Sequence, residues 1–226
     1  MKNYDDFLVV VPVYNEAAVL SSVLGSLTKH GFNNILVVDD GSTDGSVEIA
    51  RKECTTVLSH SINLGLGGAL KTARKWVSLY GEKFSFVATF DGDGQHEVSD
   101  LLKIVGFIDE FSPDILLGVR QFLYGKAPIN RILISKLASV LIWLLCGKWF
   151  KDTQSGLRVF KKEVFTSLEF TSAGYSVSSE IILGGVERGF SIIEVTVPTR
   201  YSRYSLNKGQ KVSNWYQVFS DLLHNS

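Results

Sequence analysis

Runs of apolar residues alternate with amphipathic segments along the first half of the chain. Continuous apolar runs predict buried strands at 7–13, 35–38, 56–59, 84–90 and 115–119. Helix-compatible segments lie between them at 16–30, from a Ser42 or Thr43 cap to 53, at 68–79 and at 98–111. Strands and helices that alternate over short connections predict an α/β fold, with a mostly parallel central sheet and helices on both faces.

The second half of the chain is less regular. Its pattern predicts an apolar helix at 129–147, a strand at 157–160, a helix at 178–188 and a strand at 191–197. A basic loop at 199–211 and a last helix from Asn214 follow. Because no repeat, low-complexity tract or linker interrupts the sequence, we predict a single domain over 1–226.

Composition and charge narrow the class of protein. The 23 basic and 23 acidic residues cancel, so no bulk field favours nucleic acid. Cys54 and Cys146 lack metal-ligand spacing, which is typical of a reduced, cytosolic chain. The run at 7–13 is too short for a secretory signal. The apolar stretch at 132–146 is shorter than the ~20 residues that span a bilayer.

Polar residues collect just after the predicted strands. Tyr14 to Glu16 follow the first strand, Asp39 and Asp40 the second, Asp91 to Asp93 the fourth, and Arg120 the fifth. In open α/β sheets, ligands bind outside the carboxyl ends of the strands. These positions are therefore the candidate functional residues.

The segment DGDGQH at 91–96 carries the strongest chemical signal. Carboxylates at Asp91 and Asp93, together with the amide oxygen of Gln95, are hard oxygen ligands suited to Mg²⁺ or Mn²⁺. The alternative is a turn of solvated carboxylates that caps the next helix. An EF-hand is excluded because Leu102 stands where that loop needs a glutamate.

Two further segments permit more than one interpretation. Asp39 and Asp40 can reach a ribose hydroxyl or a base N–H, or they can form a capping turn for the next helix. The glycines at 65–68 form neither a dinucleotide-binding nor a P-loop motif, since Leu70 occupies the third glycine position of the former.

The apolar helix has one polar stripe. Arg131, Ser135 and Ser139 recur at helical spacing and therefore line one face. This pattern suits a lipid phosphate held at a membrane interface. It also fits an ordinary core helix whose serines turn to water.

Together these motifs occur in an order that resembles family-2 glycosyltransferases, and among them the dolichyl- or polyprenyl-phosphate sugar synthases. The matching segments are VPVYNE at 11–16, VVDDGSTDG at 37–45, NLG at 63–65, DGDGQH at 91–96, GVR at 118–120 and DTQSG at 152–156. The resemblance implies the GT-A (Rossmann-like) nucleotide-diphospho-sugar transferase fold. It also implies that 1–120 bind the nucleotide sugar and 121–226 the acceptor.

The resemblance assigns roles to individual residues. The nucleoside contacts would be Pro12, Tyr14, Glu16, Val38 and Asp40. The Mg²⁺ or Mn²⁺ ligands would be Asp91, Asp93 and Gln95, with Gly92 beside the donor diphosphate. Asp93 and Arg120 would be catalytic, the latter at the phosphates near the reaction centre. The lipid phosphate would be held by Arg131 and Ser135, and a loop closing over the donor would carry Arg203 and either Lys208 or Lys211.

The implied function is inverting, metal-dependent transfer of a sugar from a nucleotide-diphospho-sugar to a polyprenyl or dolichyl phosphate. The enzyme would lie peripherally on the cytoplasmic face of a membrane. Departures from the synthase pattern are Gly92, Gly94 and Glu97 in the acidic motif and a loosely matched late loop. The alternatives are transfer to a glycan or protein hydroxyl, and a non-catalytic nucleotide-sugar-binding protein.

Overall fold

The described residues form one seven-stranded sheet. The computed structural model describes residues 4–54, 56–121, 129–172, 174 and 176–198, without the side chains of 129–131 and 134. The strands are β1 (Phe7–Val13), β2 (Ile35–Asp39), β3 (Thr56–Ser59), β4 (Phe86–Thr89), β5 (Ile115–Gln121), β6 (Arg158–Lys161) and β7 (Ile192–Pro198). Their order across the sheet is β3-β2-β1-β4-β6-β5-β7.

Helices connect these strands. They are α1 (Leu20–Lys29), α2 (Ser46–Glu53), α3 (Gly65–Tyr80), α4 (Val98–Val105), α5 (Ile108–Phe111), α6 (Ile129–Cys146), α7 (Lys162–Ser167) and α8 (Val177–Glu187). The alternation of strands and helices predicted for the first half is confirmed, as is the apolar helix near 129–147.

Strand β6 is antiparallel to both of its neighbours, β4 and β5, whereas the other pairs are parallel. The predicted mostly parallel sheet is therefore confirmed. Because β6 runs in the opposite direction, it begins at the edge where β1, β2, β4 and β5 end. The turn at 152–156, which precedes β6, consequently lies at the same edge as the predicted functional residues.

Alternate side chains of β1 pack into two hydrophobic cores, one on each face of the sheet. Val9, Val11 and Val13 pack on one face with side chains of α1 and α4. Leu8 and Val10 pack on the other with α3 and α8. Burying each such side chain contributes roughly 1.5–3 kcal/mol. Helices therefore cover both faces, as the sequence predicts, and the strand ends are left to form a site.

Three local predictions were wrong. The helix predicted to begin at 16 starts at Leu20, because the chain before it is bonded to the loop after β2. Helix α2 is not capped by Ser42 or Thr43; it follows Gly45, whose φ is 85°, and the Asp44 carboxylate accepts from the Ser46 N–H. The helix predicted over 98–111 is split into α4 and α5. The loop at 199–211 and the helix from Asn214 lie outside the described residues.

Candidate active site

The loops after β1 and β2 are interlocked by hydrogen bonds. The Asn15 N–H donates to Ser42 Oγ at 2.8 Å, and the Glu16 N–H donates to Ser46 Oγ at 2.8 Å. In return, Asn15 Oδ1 accepts from the Thr43 N–H at 2.7 Å. Asn15 adopts a left-handed φ of 57°, which asparagine tolerates better than most residues. These bonds fix Tyr14, which is 46% exposed, at the carboxyl edge of the sheet.

The Asp40 carboxylate is bound by the protein itself. Its oxygens accept from the Leu64 N–H at 2.9 Å and the Gly65 N–H at 2.8 Å. His60 Nδ1 lies 2.7 Å from Asp40 Oδ1, and the other ring nitrogen lies 2.8 Å from Thr72 Oγ1. Asp40 thus anchors the start of α3. These internal bonds engage both of its oxygens, and its predicted contact with the nucleoside stays a prediction.

Unlike Asp40, Asp39 has one carboxylate oxygen that no group of the described residues binds. Its Oδ2 accepts from the Ser42 N–H at 3.2 Å, whereas its buried Oδ1 has no hydrogen-bond partner among the described residues. A buried carboxylate oxygen without a donor is costly, and a ligand N–H or hydroxyl would satisfy it. Val38, also predicted as a nucleoside contact, has its side chain fully buried in the core. Only the backbone of Val38 can therefore face a ligand.

Asp91 and Asp93 lie close together in a turn after β4. Burial raises the pKa of both carboxyls. The charge of Asp91 raises the pKa of Asp93 further, and the charge of Glu16 raises the pKa of Asp91. The Gln95 N–H donates to Asp93 Oδ1 at 3.0 Å, and the Gln95 amide nitrogen donates to Asp93 Oδ2. Crowded, desolvated carboxylates of this kind are stabilised by a cation.

The donor set fits Mg²⁺ or Mn²⁺. Two carboxylates and an amide oxygen supply hard oxygen ligands, and such ions usually complete their shell with waters and substrate phosphates. Within the described part of the chain, no group of three or more His, Cys, Asp or Glu side chains could hold a metal ion.

The chain before β6 packs directly beneath Asp91. A Cβ placed on Gly156 would overlap the Asp91 carboxylate, so any larger residue there would displace that side chain. Arg158, which pairs with Thr89 across β4 and β6, is 2% exposed. Burial lowers its pKa to about 10, and the charges of Asp91 and Asp152 oppose that shift. Arg158 is thus a buried counter-charge that sequence reasoning missed, because only the strand register reveals it.

Arg120 is gripped by Asp152. Its Nε lies 2.6 Å from Asp152 Oδ2 and its Nη2 2.9 Å from Oδ1, a bidentate pair. The same carboxylate accepts from the Ser135 hydroxyl at 3.1 Å and the Gln154 N–H at 3.1 Å. Burial alone would raise the pKa of Asp152, but the Arg120 guanidinium and these bonds hold it below its usual range. Asp152 is therefore an anion committed to positioning Arg120.

His96 completes the inner wall of the site. It is 5% exposed, and its Nδ1 lies 3.9 Å from Asp100 Oδ2. Burial, and after it the charge of Arg120, lowers the pKa of His96 to about 4. The imidazole is consequently neutral at physiological pH. Charge interactions thus connect Glu16, Asp91, Asp93, Arg120 and Asp152 in one cluster.

Residues 8–168 match the family described as glycosyl transferase family 2. The chain belongs to this family. It is 36% identical over 227 residues to an uncharacterised protein of Methanocaldococcus jannaschii, covering 98% of this chain and 92% of that protein. It is also 28% identical to a UDP-N-acetylglucosamine–dolichyl-phosphate N-acetylglucosaminyltransferase of Methanococcus voltae, covering 95% and 93% of the two chains.

A solved structure supports the same fold. Glucosyl-3-phosphoglycerate synthase from Mycobacterium tuberculosis, crystallised with Mn²⁺, uridine diphosphate and its product, superposes with a TM-score of 0.74. The identity is 23%, and the match covers 96% of this chain and 78% of that one. The predicted GT-A fold is confirmed, and the protein is a glycosyltransferase.

Helix α6 of this glycosyltransferase turns its serines inward. Ser135 and Ser139 are buried, and Ser139 donates to the Ser135 carbonyl at 3.0 Å. The interpretation in which these serines face water is therefore wrong. The Ser135 hydroxyl donates to Asp152 and so links α6 to Arg120. Its predicted contact with a lipid phosphate stays a prediction.

Of the remaining predicted contacts, the structure describes Gly92 but not the basic side chains. Gly92 packs against β1, where a Cβ would lie 3.3 Å from the Pro12 carbonyl oxygen. The side chain of Arg131 lies outside the described residues, as do Arg203, Lys208 and Lys211. Their assigned roles stay predictions. Asp152 was identifiable only by its DTQSG motif, and no local pattern marks His60 as the partner of Asp40.

Proposed function

We propose that this glycosyltransferase moves a sugar from a nucleotide-diphospho-sugar to a polyprenyl or dolichyl phosphate, with inversion at the anomeric carbon. The bond between Asp152 and Arg120 is the observation that favours a phosphate acceptor over a hydroxyl acceptor. A sugar hydroxyl needs a general base, whereas a lipid phosphate is already largely anionic at neutral pH. Asp152 is the carboxylate that the DTQSG motif places at the site, and its bidentate bond to Arg120 leaves it a poor base.

The donor would lie along the carboxyl edge of β1, β2 and β4. The orphan Asp39 Oδ1 would accept from the nucleoside, beside the exposed ring of Tyr14. Mg²⁺ or Mn²⁺ would be held by Asp91 and Asp93 with the Gln95 oxygen, and would neutralise charge on the diphosphate. Mn²⁺ and uridine diphosphate in the structure of the mycobacterial relative support this arrangement.

The reaction itself is a single displacement. An oxygen of the acceptor phosphate forms a bond to the anomeric carbon as the bond from that carbon to the nucleotide diphosphate breaks. Arg120, held in place by Asp152, would offset the charge that builds on the departing diphosphate. The buried guanidinium of Arg158 would oppose the rise in the pKa of Asp91 that burial causes, without touching substrate.

The acceptor would approach from a membrane surface along α6. One face of this 18-residue helix carries exposed apolar side chains at helical spacing, and two tryptophans lie near its end. These side chains are Leu133, Leu137, Val140, Trp143 and Leu144, here named the α6 apolar face, and Trp149 is exposed just beyond the end of the helix. Apolar helix faces flanked by tryptophan are typical of proteins that lie in a membrane interface.

Two observations bear on this membrane interpretation. Among the described helices, none is both long and apolar enough to cross a bilayer. Relatives include the dolichyl-phosphate enzyme of Methanococcus voltae and a polyprenol monophosphomannose synthase of Mycolicibacterium smegmatis, 28% identical over 204 residues. We accordingly propose peripheral binding to the cytoplasmic face of a membrane. The division into a donor half at 1–120 and an acceptor half at 121–226 belongs to the same proposal.

The experiment begins with the donor. Nucleotide sugars are screened in Mn²⁺ for a rise in melting temperature, since a ligand of the native state stabilises it. The selected donor is then incubated with polyprenyl phosphate, and the anomeric configuration of the product is read by NMR. The proposal predicts a sugar phosphate of inverted configuration. A product of retained configuration, or transfer only to a glycan hydroxyl, would overturn it.

A further inference from the structure

Glu194 is a carboxylate within the otherwise largely apolar edge strand β7. It is half-buried, and its Oε1 accepts from the Lys151 N–H at 2.7 Å. Burial raises the pKa of the Glu194 carboxyl, and the N–H groups of Lys151 and Asp152 oppose that rise. The Glu194 side chain therefore fixes the amide of Lys151, the residue before Asp152, in the chain that leads into the turn before β6.

The backbone at 151–152 carries the carboxylate of Asp152, which binds Arg120. Asp152 follows Lys151 directly, and its side chain accepts from Arg120 Nε, from Nη2 and from the Arg120 backbone N–H at 3.2 Å. Register pairs Glu194 with Leu117, so β7 supports the same strand β5 that ends near Arg120. Glu194 is thus linked to the Arg120 guanidinium through its bond to the Lys151 N–H, the peptide backbone at 151–152 and the Asp152 carboxylate.

We propose that Glu194 is a positioning residue of the transferase, which fixes the backbone at 151–152 so that Asp152 aims Arg120 at the departing diphosphate. The inference rests on the proposed role of Arg120. Without Glu194, the Lys151 N–H loses its acceptor and the turn can shift. A displacement of ~1 Å at a positioning group can lower a rate by up to ~100-fold.

The first test compares three variants by kcat per mole of folded protein. Glu194→Ala should lower kcat by roughly tenfold or more, with the affinity for the nucleotide diphosphate in Mn²⁺ changed little. Glu194→Gln, which keeps an acceptor oxygen in place, should recover most of the loss. The matched control is Glu187→Ala, because Glu187 is exposed at the end of α8. Equal kcat in Glu194→Ala and the control would overturn the proposal.

A double-mutant cycle tests whether Glu194 acts through Arg120. If it does, Glu194→Ala should add no further loss of kcat in an Arg120→Ala background, because residues that act as one unit are not additive. Full additivity of the two losses would contradict the proposed path.

A measurement on the unliganded protein separates this inference from the proposed function. The NMR resonance of the Arg120 Nε–H reports its bond to Asp152 with no substrate present. We expect Glu194→Ala to shift or broaden this resonance, and Glu194→Gln to leave it near the wild-type position. An unshifted resonance in Glu194→Ala overturns the positioning role. A wild-type enzyme that transfers no sugar to polyprenyl phosphate overturns the proposed function and leaves this test intact.

Discussion

Asp39 and Asp40 are adjacent and chemically identical, yet their carboxylates have opposite surroundings. The pleat of β2 and the loop at 60–65 send Asp40 toward three internal donors, whereas Asp39 keeps a buried oxygen without one. The sequence marks the pair as functional but cannot rank its members. The ranking depends on His60, 20 residues away, whose position follows from the pairing of β2 with β3.

The two variants Asp39→Asn and Asp40→Asn should therefore fail in different ways. Asp40→Asn leaves buried donors without a good acceptor, so we expect the free energy of unfolding to fall by about 1–3 kcal/mol. Asp39→Asn should leave stability unchanged or slightly raised, while donor affinity falls. Urea unfolding and titration calorimetry in Mn²⁺ measure the two quantities. A loss of donor affinity confined to Asp40→Asn would support the role first predicted for Asp40.

At the scale of elements, the turn before β6 joins three parts of the molecule. Asp152 bonds to Arg120 at the end of β5 and to Ser135 on α6, and Glu194 on β7 accepts from the N–H of the preceding Lys151. Sequence patterns predicted each of these elements. They did not predict their connection, because β6 enters the sheet antiparallel between strands that are distant in sequence.

The buried Arg120–Asp152 pair predicts a defined dependence of stability on pH. Because the pKa of Asp152 is lowered by folding, its contribution is fully present above the unfolded value of about 4. The contribution is lost as pH falls through the lower folded value. Asp152→Asn should cost ~3–5 kcal/mol at neutral pH, since it strands a charged partner.

Urea unfolding of wild type and Asp152→Asn over a series of pH values checks this expectation. The difference in free energy of unfolding between the two proteins should shrink as the pH falls below about 4. A difference that stays constant to lower pH would show that the carboxylate charge contributes nothing to stability.

The α6 apolar face makes a prediction about membrane binding. Leu137→Glu and Leu144→Glu add charge to this face and should weaken sedimentation with phospholipid vesicles. Leu79→Glu is the matched control, since Leu79 is 63% exposed on a different helix, α3. We expect the control to bind vesicles as wild type does. Equal binding by all of these variants would remove the membrane role assigned to α6.

For the whole molecule, the sequence predicted the layered architecture because strand and helix periodicities are local properties. β1 and β3 were predicted with the bounds observed, and the site was predicted at the carboxyl edge of the sheet. The contributions of Gly156, Arg158 and Glu194 were not predictable, since each depends on register across β4, β6, β5 and β7. Long-range pairing, rather than local pattern, decides which polar residues share a site.

The most direct test of the account measures sugar transfer to three matched acceptors. The enzyme is incubated in Mn²⁺ with a labelled nucleotide sugar and with polyprenyl phosphate, the corresponding polyprenol, or a glycan. Label should enter an organic-soluble sugar phosphate only with polyprenyl phosphate, and Asp93→Asn should lower its rate by ~100-fold or more. Transfer to the polyprenol or the glycan with the lipid phosphate inert would contradict the account.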